Sequence, residues 1–161
     1  MRTGKQYLES LRDGRQVYVG GELIDDVTTH PKTKGYAAAI AEYYDLHHAP
    51  ENQDVLTFVD SDGERRSMHW FLPRSKEDAV RRRAFHEFWF RHFKGGIFTR
   101  PPAGMHVVMY AQVDDPQPWE DNAILADGRH VPFAQNIRDQ WARVTRDDIA
   151  LSPMFVDVQF D

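Results

Sequence analysis

The chain has 161 residues, of which 41% are hydrophobic, with 4 Trp, 6 Tyr and 10 Phe, enough apolar mass for one domain of ordinary size with its own core. A formal net charge of -5 leaves no global basic field for nucleic acid or anionic lipid, so neither is expected as a partner. There is no cysteine, which excludes disulfides, thiolate catalysis and cysteine-ligated clusters from these residues. Residues 1–6 lack the apolar stretch of a signal peptide, and apolar runs such as residues 107–111 are far below the roughly 20 residues of a membrane helix. A soluble cytoplasmic protein is the default expectation.

In chain order, Thr3 with Gln6 three residues on is a capping-box signature, and Tyr7, Leu8 and Leu11 supply the stripe of a short first helix that Gly14 stops. Residues 16–19, Gly20-Gly21 and residues 22–24 predict a small hairpin. His30-Pro31 opens the next helix, with Pro31 in its first turn. Tyr36, Ile40, Tyr43, Tyr44 and His47 recur there at helical spacing, and Pro50 ends it. A second hairpin is predicted from residues 55–59, the turn Asp60-Ser61-Asp62-Gly63, and residues 65–71. Ser75 with Asp78 starts the strongest helical pattern, with Ala79, Ala84, Phe85, Phe88, Trp89 and Phe93 as its apolar face and Gly95-Gly96 as its stop. Residues 97–113 fit a buried helix or a strand. Pro116, Pro118 and Asp127-Gly128 bound a loop-rich stretch. Pro132 then starts a last helix, with Phe133, Ile137, Trp141 and Val144 on one side, and residues 151–160 read as extended. This order predicts a mainly helical α+β domain. The final Phe160-Asp161, directly after an apolar extended segment, reads as a cut or a junction, because a strand edge left there would be unpaired.

Eight histidines raise the question of a metal. His47-His48 with Glu51 comes closest, yet Pro50 interrupts the helix, no H-E-x-x-H spacing exists, and His86 and His92 fall on different faces. Surface or core-edge histidines are expected instead, with no metal site. Arg81-Arg82-Arg83 sweep roughly 200° around a helix axis and predict a solvated face rather than a phosphate grip. No P-loop, G-x-S-x-G or G-x-G-x-x-G is present. Arg100 differs. It follows the glycine stop, Pro101-Pro102 stiffen the backbone beside it, and an apolar run follows. An arginine there must meet an anion, either a ligand or a structural carboxylate, and the residues alone leave both readings open.

Six segments taken together carry a resemblance. They are Thr3-Gly4-Lys5-Gln6-Tyr7-Leu8-Glu9-Ser10-Leu11 with Asp13-Gly14-Arg15; Asp26-Val27-Thr28-Thr29-His30-Pro31; Tyr44-Asp45-Leu46-His47-His48 through Gln53-Asp54; Leu56-Thr57-Phe58-Val59; Arg100 with Pro102; and Phe155-Val156-Asp157 with Gln159. Nearly end to end and in register, they resemble the two-component, reduced-flavin-dependent aromatic hydroxylases of the 4-hydroxyphenylacetate 3-hydroxylase and chlorophenol 4-monooxygenase type. The chlorophenol branch looks closest.

The resemblance implies an N-terminal helical domain over residues 1–150 and, in residues 151–161, the start of a β-barrel domain, in an architecture similar to acyl-CoA dehydrogenases. It implies an oxidoreductase, a flavoprotein monooxygenase that takes reduced FAD from a separate flavin reductase. The substrate would be a phenol, halogenated or not. The flavin would lie between domains of an oligomer, so the remaining domains or homologous subunits complete the site. Arg100 matches the family arginine that lines the pocket between flavin and phenol. A fixed guanidinium there would stabilise the phenolate that reacts with electrophilic oxygen. His106 and Tyr110, downstream on the same segment, and Pro153 are the further pocket candidates. Three positions depart from the 4-hydroxyphenylacetate enzymes: Ala103 replaces an aspartate, Gly104 a tyrosine, and Pro153 stands near a missing histidine. A substrate other than 4-hydroxyphenylacetate follows. The related 4-hydroxybutyryl-CoA dehydratases use an iron–sulfur cluster, against which the absence of cysteine argues. The alternative is a non-catalytic split-off or truncated domain acting only in assembly.

Overall fold

The computed structural model describes residues 1–94, 112–121, 124 and 127–149. The chain divides into two compact units, Met1–Met68 and His69–Asp161.

In the first unit, helix α1 (Gly4–Ser10) begins with the expected capping box: the Gln6 N–H donates to Thr3 Oγ1 at 3.2 Å and the Thr3 N–H to Gln6 Oε1 at 2.8 Å. It packs on helix α2 (Lys34–Leu46) through Gly4, where a Cβ would lie 2.4 Å from the Ala41 carbonyl oxygen. The Gly4 N–H donates to Asp45 Oδ1 at 2.8 Å, and the Tyr7 and Tyr44 rings meet at 5.3 Å. Strands β1 (Val17–Val19) and β2 (Glu22–Ile24) form the first hairpin, with Gly20 and Gly21 at φ of 59° and 82°, a turn that side chains resist.

Helix α2 starts at Lys34, later than His30-Pro31 suggests. Asp26 Oδ1 accepts from the Thr28 N–H at 2.7 Å and Thr33 Oγ1 donates to the Val27 carbonyl at 2.8 Å, so side chains hold residues 26–33 in turns. Its buried face is Ala37, Ile40, Ala41, Tyr43 and Tyr44, whereas Tyr36, expected in the stripe, is 62% exposed.

The second hairpin is shorter at both ends than its sequence pattern. Residues Gln53–Leu56 form helix α3, closed by the Thr57 hydroxyl donating to the Gln53 carbonyl at 2.6 Å. Strand β3 (Thr57–Val59) then pairs antiparallel with β4 (Arg65–Ser67), Phe58 opposite Arg66. A 3-10 turn, Met68–Trp70, takes the place of further strand.

The second unit is built on helix α4 (Lys76–His92), which opens with the Ser75–Asp78 capping box. Phe85 and Trp89 are its buried residues, while Ala79 of the expected face is exposed. The arginine triplet divides rather than forming a uniformly solvated face. Arg83 pairs with Glu87, the Arg81 guanidinium lies 5.0 Å from the Phe71 ring centroid, and Arg82 Nη1 donates to the Phe71 carbonyl at 2.6 Å. Arg82 is half-buried because it satisfies a chain carbonyl.

The stretch read as loop contains helix α5 (Gln117–Asp121), whose start is tied by the Pro116 carbonyl to the Trp119 and Glu120 N–H groups. Pro118 falls in the first turn, where a missing N–H does no harm. Helix α6 (Phe133–Arg146) follows Pro132, as expected, and buries Ala134 and Val144. The Trp141 ring lies edge-on to Trp70 at 5.7 Å, and the Trp70 indole N–H donates to Asp148 Oδ1 at 2.9 Å. The described residues thus form a mainly helical fold with two small antiparallel hairpins.

Candidate functional site

Arg100, His106, Tyr110 and Pro153, the residues singled out from sequence, lie outside the described residues, as do Gly95-Gly96 and residues 151–161. What can be built from the described residues is a cleft in the second unit. It has a volume of about 330 Å³ and is lined by Gln112, Trp119, Phe133, Asn136, Ile137 and Gln140. Four of these come from α6 at spacing i, i+3, i+4 and i+7, a single stripe along the helix. Trp119 comes from α5, and Gln112 stands two residues after Tyr110 in the chain.

The polar groups of the cleft are carboxamides. Gln140 Oε1 accepts from Arg143 Nε at 3.2 Å and Nη2 at 3.0 Å, which leaves its amide hydrogens facing outward from that contact. The side chains of Gln112 and Asn136 have no hydrogen-bond partner among the described residues. The charges nearby are occupied: Arg138 reaches Glu120 at 3.4 Å, and Asp139 accepts from Gln135 at 2.7 Å. No charged side chain among the described residues lines the cleft. Such a lining favours a flat, uncharged molecule with hydrogen-bonding edges. Sequence reading found the apolar half of the stripe, Phe133 and Ile137, and missed the rest. Asn136 and Gln140 pass for solvent-facing residues, and α5 is too short for a periodic signal. The Pro118-Trp119-Glu120 start was the available clue.

A second polar cluster lies in the first unit. Ser67 Oγ is 2.9 Å from His47 Nε2 and 3.1 Å from the Tyr43 hydroxyl, and His47 Nδ1 is 2.8 Å from the Tyr43 carbonyl oxygen. A serine beside a histidine is the arrangement of an activated nucleophile. Here Ser67 and His47 are each 1% exposed and Tyr43 is fully buried, so the cluster joins α2 to β4 instead of meeting a substrate. His48 Nε2 bonds the Arg2 carbonyl at 2.9 Å. The His47-His48 pair is therefore engaged with oxygens of the chain. Among the described residues no group of three or more His, Asp or Glu is placed to hold a metal ion.

The two described non-glycine residues with left-handed backbone, Lys94 (φ 54°) and Asp148 (φ 49°), stand just past the ends of α4 and α6. The second is fixed by its buried bond to Trp70, with exposures of 3% and 2%. Both precede segments that carry sequence-selected residues.

A two-unit, mainly helical chain of this kind is the fold of the N-terminal region of a flavoprotein oxygenase. The oxygenase component of 4-hydroxyphenylacetate 3-monooxygenase, solved in complex with FAD, matches with a TM-score of 0.77 at 29% identity, covering 93% of this chain and 29% of that one. The family described as 4-hydroxyphenylacetate 3-hydroxylase N terminal matches residues 3–161, and the chain belongs to it. The chain is 83% identical, over all its length, to the oxygenase component of a 4-nitrophenol 4-monooxygenase/4-nitrocatechol 2-monooxygenase from Rhodococcus opacus. It is 50% identical, again over all its length, to a 2,4,6-trichlorophenol monooxygenase from Cupriavidus pinatubonensis. It spans 30% and 31% of those two relatives.

Proposed function

We propose that this chain is the N-terminal part of the oxygenase component of a reduced-flavin-dependent monooxygenase that hydroxylates a phenol with dioxygen. The observation that carries this reading is the 83% identical match, over all of this chain and 30% of the relative, to the oxygenase component of a nitrophenol monooxygenase, joined to the backbone likeness to a FAD complex. The relatives' names favour a phenol bearing nitro or halogen substituents.

The cleft of about 330 Å³ holds a single substituted ring rather than a flavin dinucleotide. The cleft therefore does not hold FAD, and in this reading the flavin envelope belongs in part to polypeptide beyond the described residues. Residues 1–150 form the helical domain in this reading, and 151–161 begin a barrel domain. Reduced flavin, when bound, activates dioxygen for transfer to the ring. Arg100, charged at any working pH, holds the phenol as its anion and so raises the electron density of the ring. His106, Tyr110 and Pro153 contribute walls that keep water out. The partners are a flavin reductase and the remaining domains or subunits.

The test supplies chemically reduced FAD, dioxygen and 4-nitrophenol to the full-length protein and follows hydroxylated product and peroxide. Product is expected from the wild type. Arg100→Lys should lower hydroxylation about 10²-fold, the scale of losing one charge-stabilising donor, with more peroxide released. A wild type that makes no product from any phenol leaves only the assembly role.

A further inference from the structure

We propose that the cleft between α5 and α6 is a binding site for one neutral aromatic ring with hydrogen-bonding substituents, the protonated form of a phenol. The choice of ligand class rests on the function proposed above; the site itself rests on geometry.

Size comes first. A dry apolar cavity of about 150 Å³ suffices for benzene, so a volume of 330 Å³ leaves room for a ring and its substituents. The surfaces agree: Trp119 and Phe133 offer aromatic faces and Ile137 an aliphatic floor. The polar groups then select among rings. Gln112 and Asn136, lacking partners among the described residues, each present a carbonyl oxygen that accepts a phenol O–H and an amide that donates to a nitro oxygen. Gln140 is restricted to donation because Arg143 occupies its oxygen.

Charge decides the protonation state. The ionised side chains described on α5 and α6 are Glu120, Arg138, Asp139, Arg143 and Arg146, and Asp114 and Asp115 follow Gln112; Arg146 pairs with Asp147 and Asp114 with Arg74. Arg138 is paired with Glu120, Arg143 is bound to Gln140, and Asp139 is bound to Gln135. None of them lines the cleft. A phenolate entering it would lose water and meet, among the described residues, carboxamides, rings and Ile137 but no cation, which disfavours the anion. The protein would then hold the neutral phenol here and the phenolate beside Arg100, two places sorted by charge.

The test uses full-length Arg100→Gln protein without flavin, which removes the place assigned to the phenolate, titrated with 4-nitrophenol, whose neutral and anionic forms absorb at different wavelengths. Bound probe should keep the neutral spectrum, and affinity should fall about tenfold per pH unit once the free probe ionises. Asn136→Leu removes the amide from an exposed helix position, and Ile137→Trp fills the cleft. Each should weaken binding at least tenfold, with helix content by circular dichroism unchanged for Asn136→Leu. In the Arg100→Gln background, an anionic spectrum for the bound probe, no binding, or equal affinity after adding Asn136→Leu overturns the proposal. Because no flavin is present, binding of the neutral probe in this assay beside a wild type that fails to hydroxylate would refute the function alone.

Discussion

Single residues set distances that their neighbours cannot relax. Gly4 is the clearest case, since an added Cβ would sit 2.4 Å from the Ala41 oxygen and 2.6 Å from Asp45 Oδ2. Neither the backbone of α2 nor a carboxylate already bonded to the Gly4 N–H can move away cheaply. Gly4→Ala should therefore destabilise the protein by about 1–3 kcal/mol, the range for forced overpacking. A denaturant midpoint unchanged from wild type would show that α1 shifts freely. Sequence alone places Gly4 in a capping box and says nothing of its close approach, because Ala41 lies 37 positions away and shares no local pattern with it. Arg82 was misread for the same reason: its partners, the Phe71 and His69 carbonyls, are tertiary.

Elements carry their own signals when these are local. Both capping boxes and the Gly20-Gly21 turn are readable because three or four adjacent residues contain the whole cause. Helices α3 and α5, at four and five residues, are too short for any period to repeat, and so they were read as strand and loop. The β3–β4 hairpin has an electrostatic fastening with a definite pH signature. Arg66, on β4, bonds Asp60 Oδ2 at 2.7 Å and also reaches Asp62. Burial by itself would raise the Asp60 pKa, but the bonds from Arg66 and Ser61 outweigh it and hold the carboxyl below its ordinary value. A depressed folded pKa means that the stabilisation is present above the ordinary carboxylate range and is lost as pH falls through the folded value. Melting temperatures of wild type and Asp60→Asn should therefore differ at neutral pH and converge in acid. A constant gap down the whole pH range would show that the fastening is not ionic.

At the scale of the molecule, the family and the helical class were legible because the resembling segments are spread along nearly the whole chain. The site was less so. Arg100 and its companions lie outside the described residues, and the cleft depends on α5 meeting α6, a contact no short motif encodes. Met68, His69 and Trp70 form a 3-10 turn and are each at most 2% exposed. Limited chymotrypsin digestion should accordingly leave the bond after Trp70 intact for as long as folded protein remains. An early fragment beginning at Phe71 would contradict this.

The Tyr43–Ser67–His47 cluster has a directional logic of its own. A peptide oxygen can only receive hydrogen, so Nδ1 of His47 gives to the Tyr43 carbonyl. In the tautomer whose one ring proton sits on Nδ1, Nε2 receives from the Ser67 hydroxyl, and the Ser67 oxygen can receive in turn from the phenol of Tyr43. One main-chain atom thus orients three protons around a circuit that returns to the residue where it began.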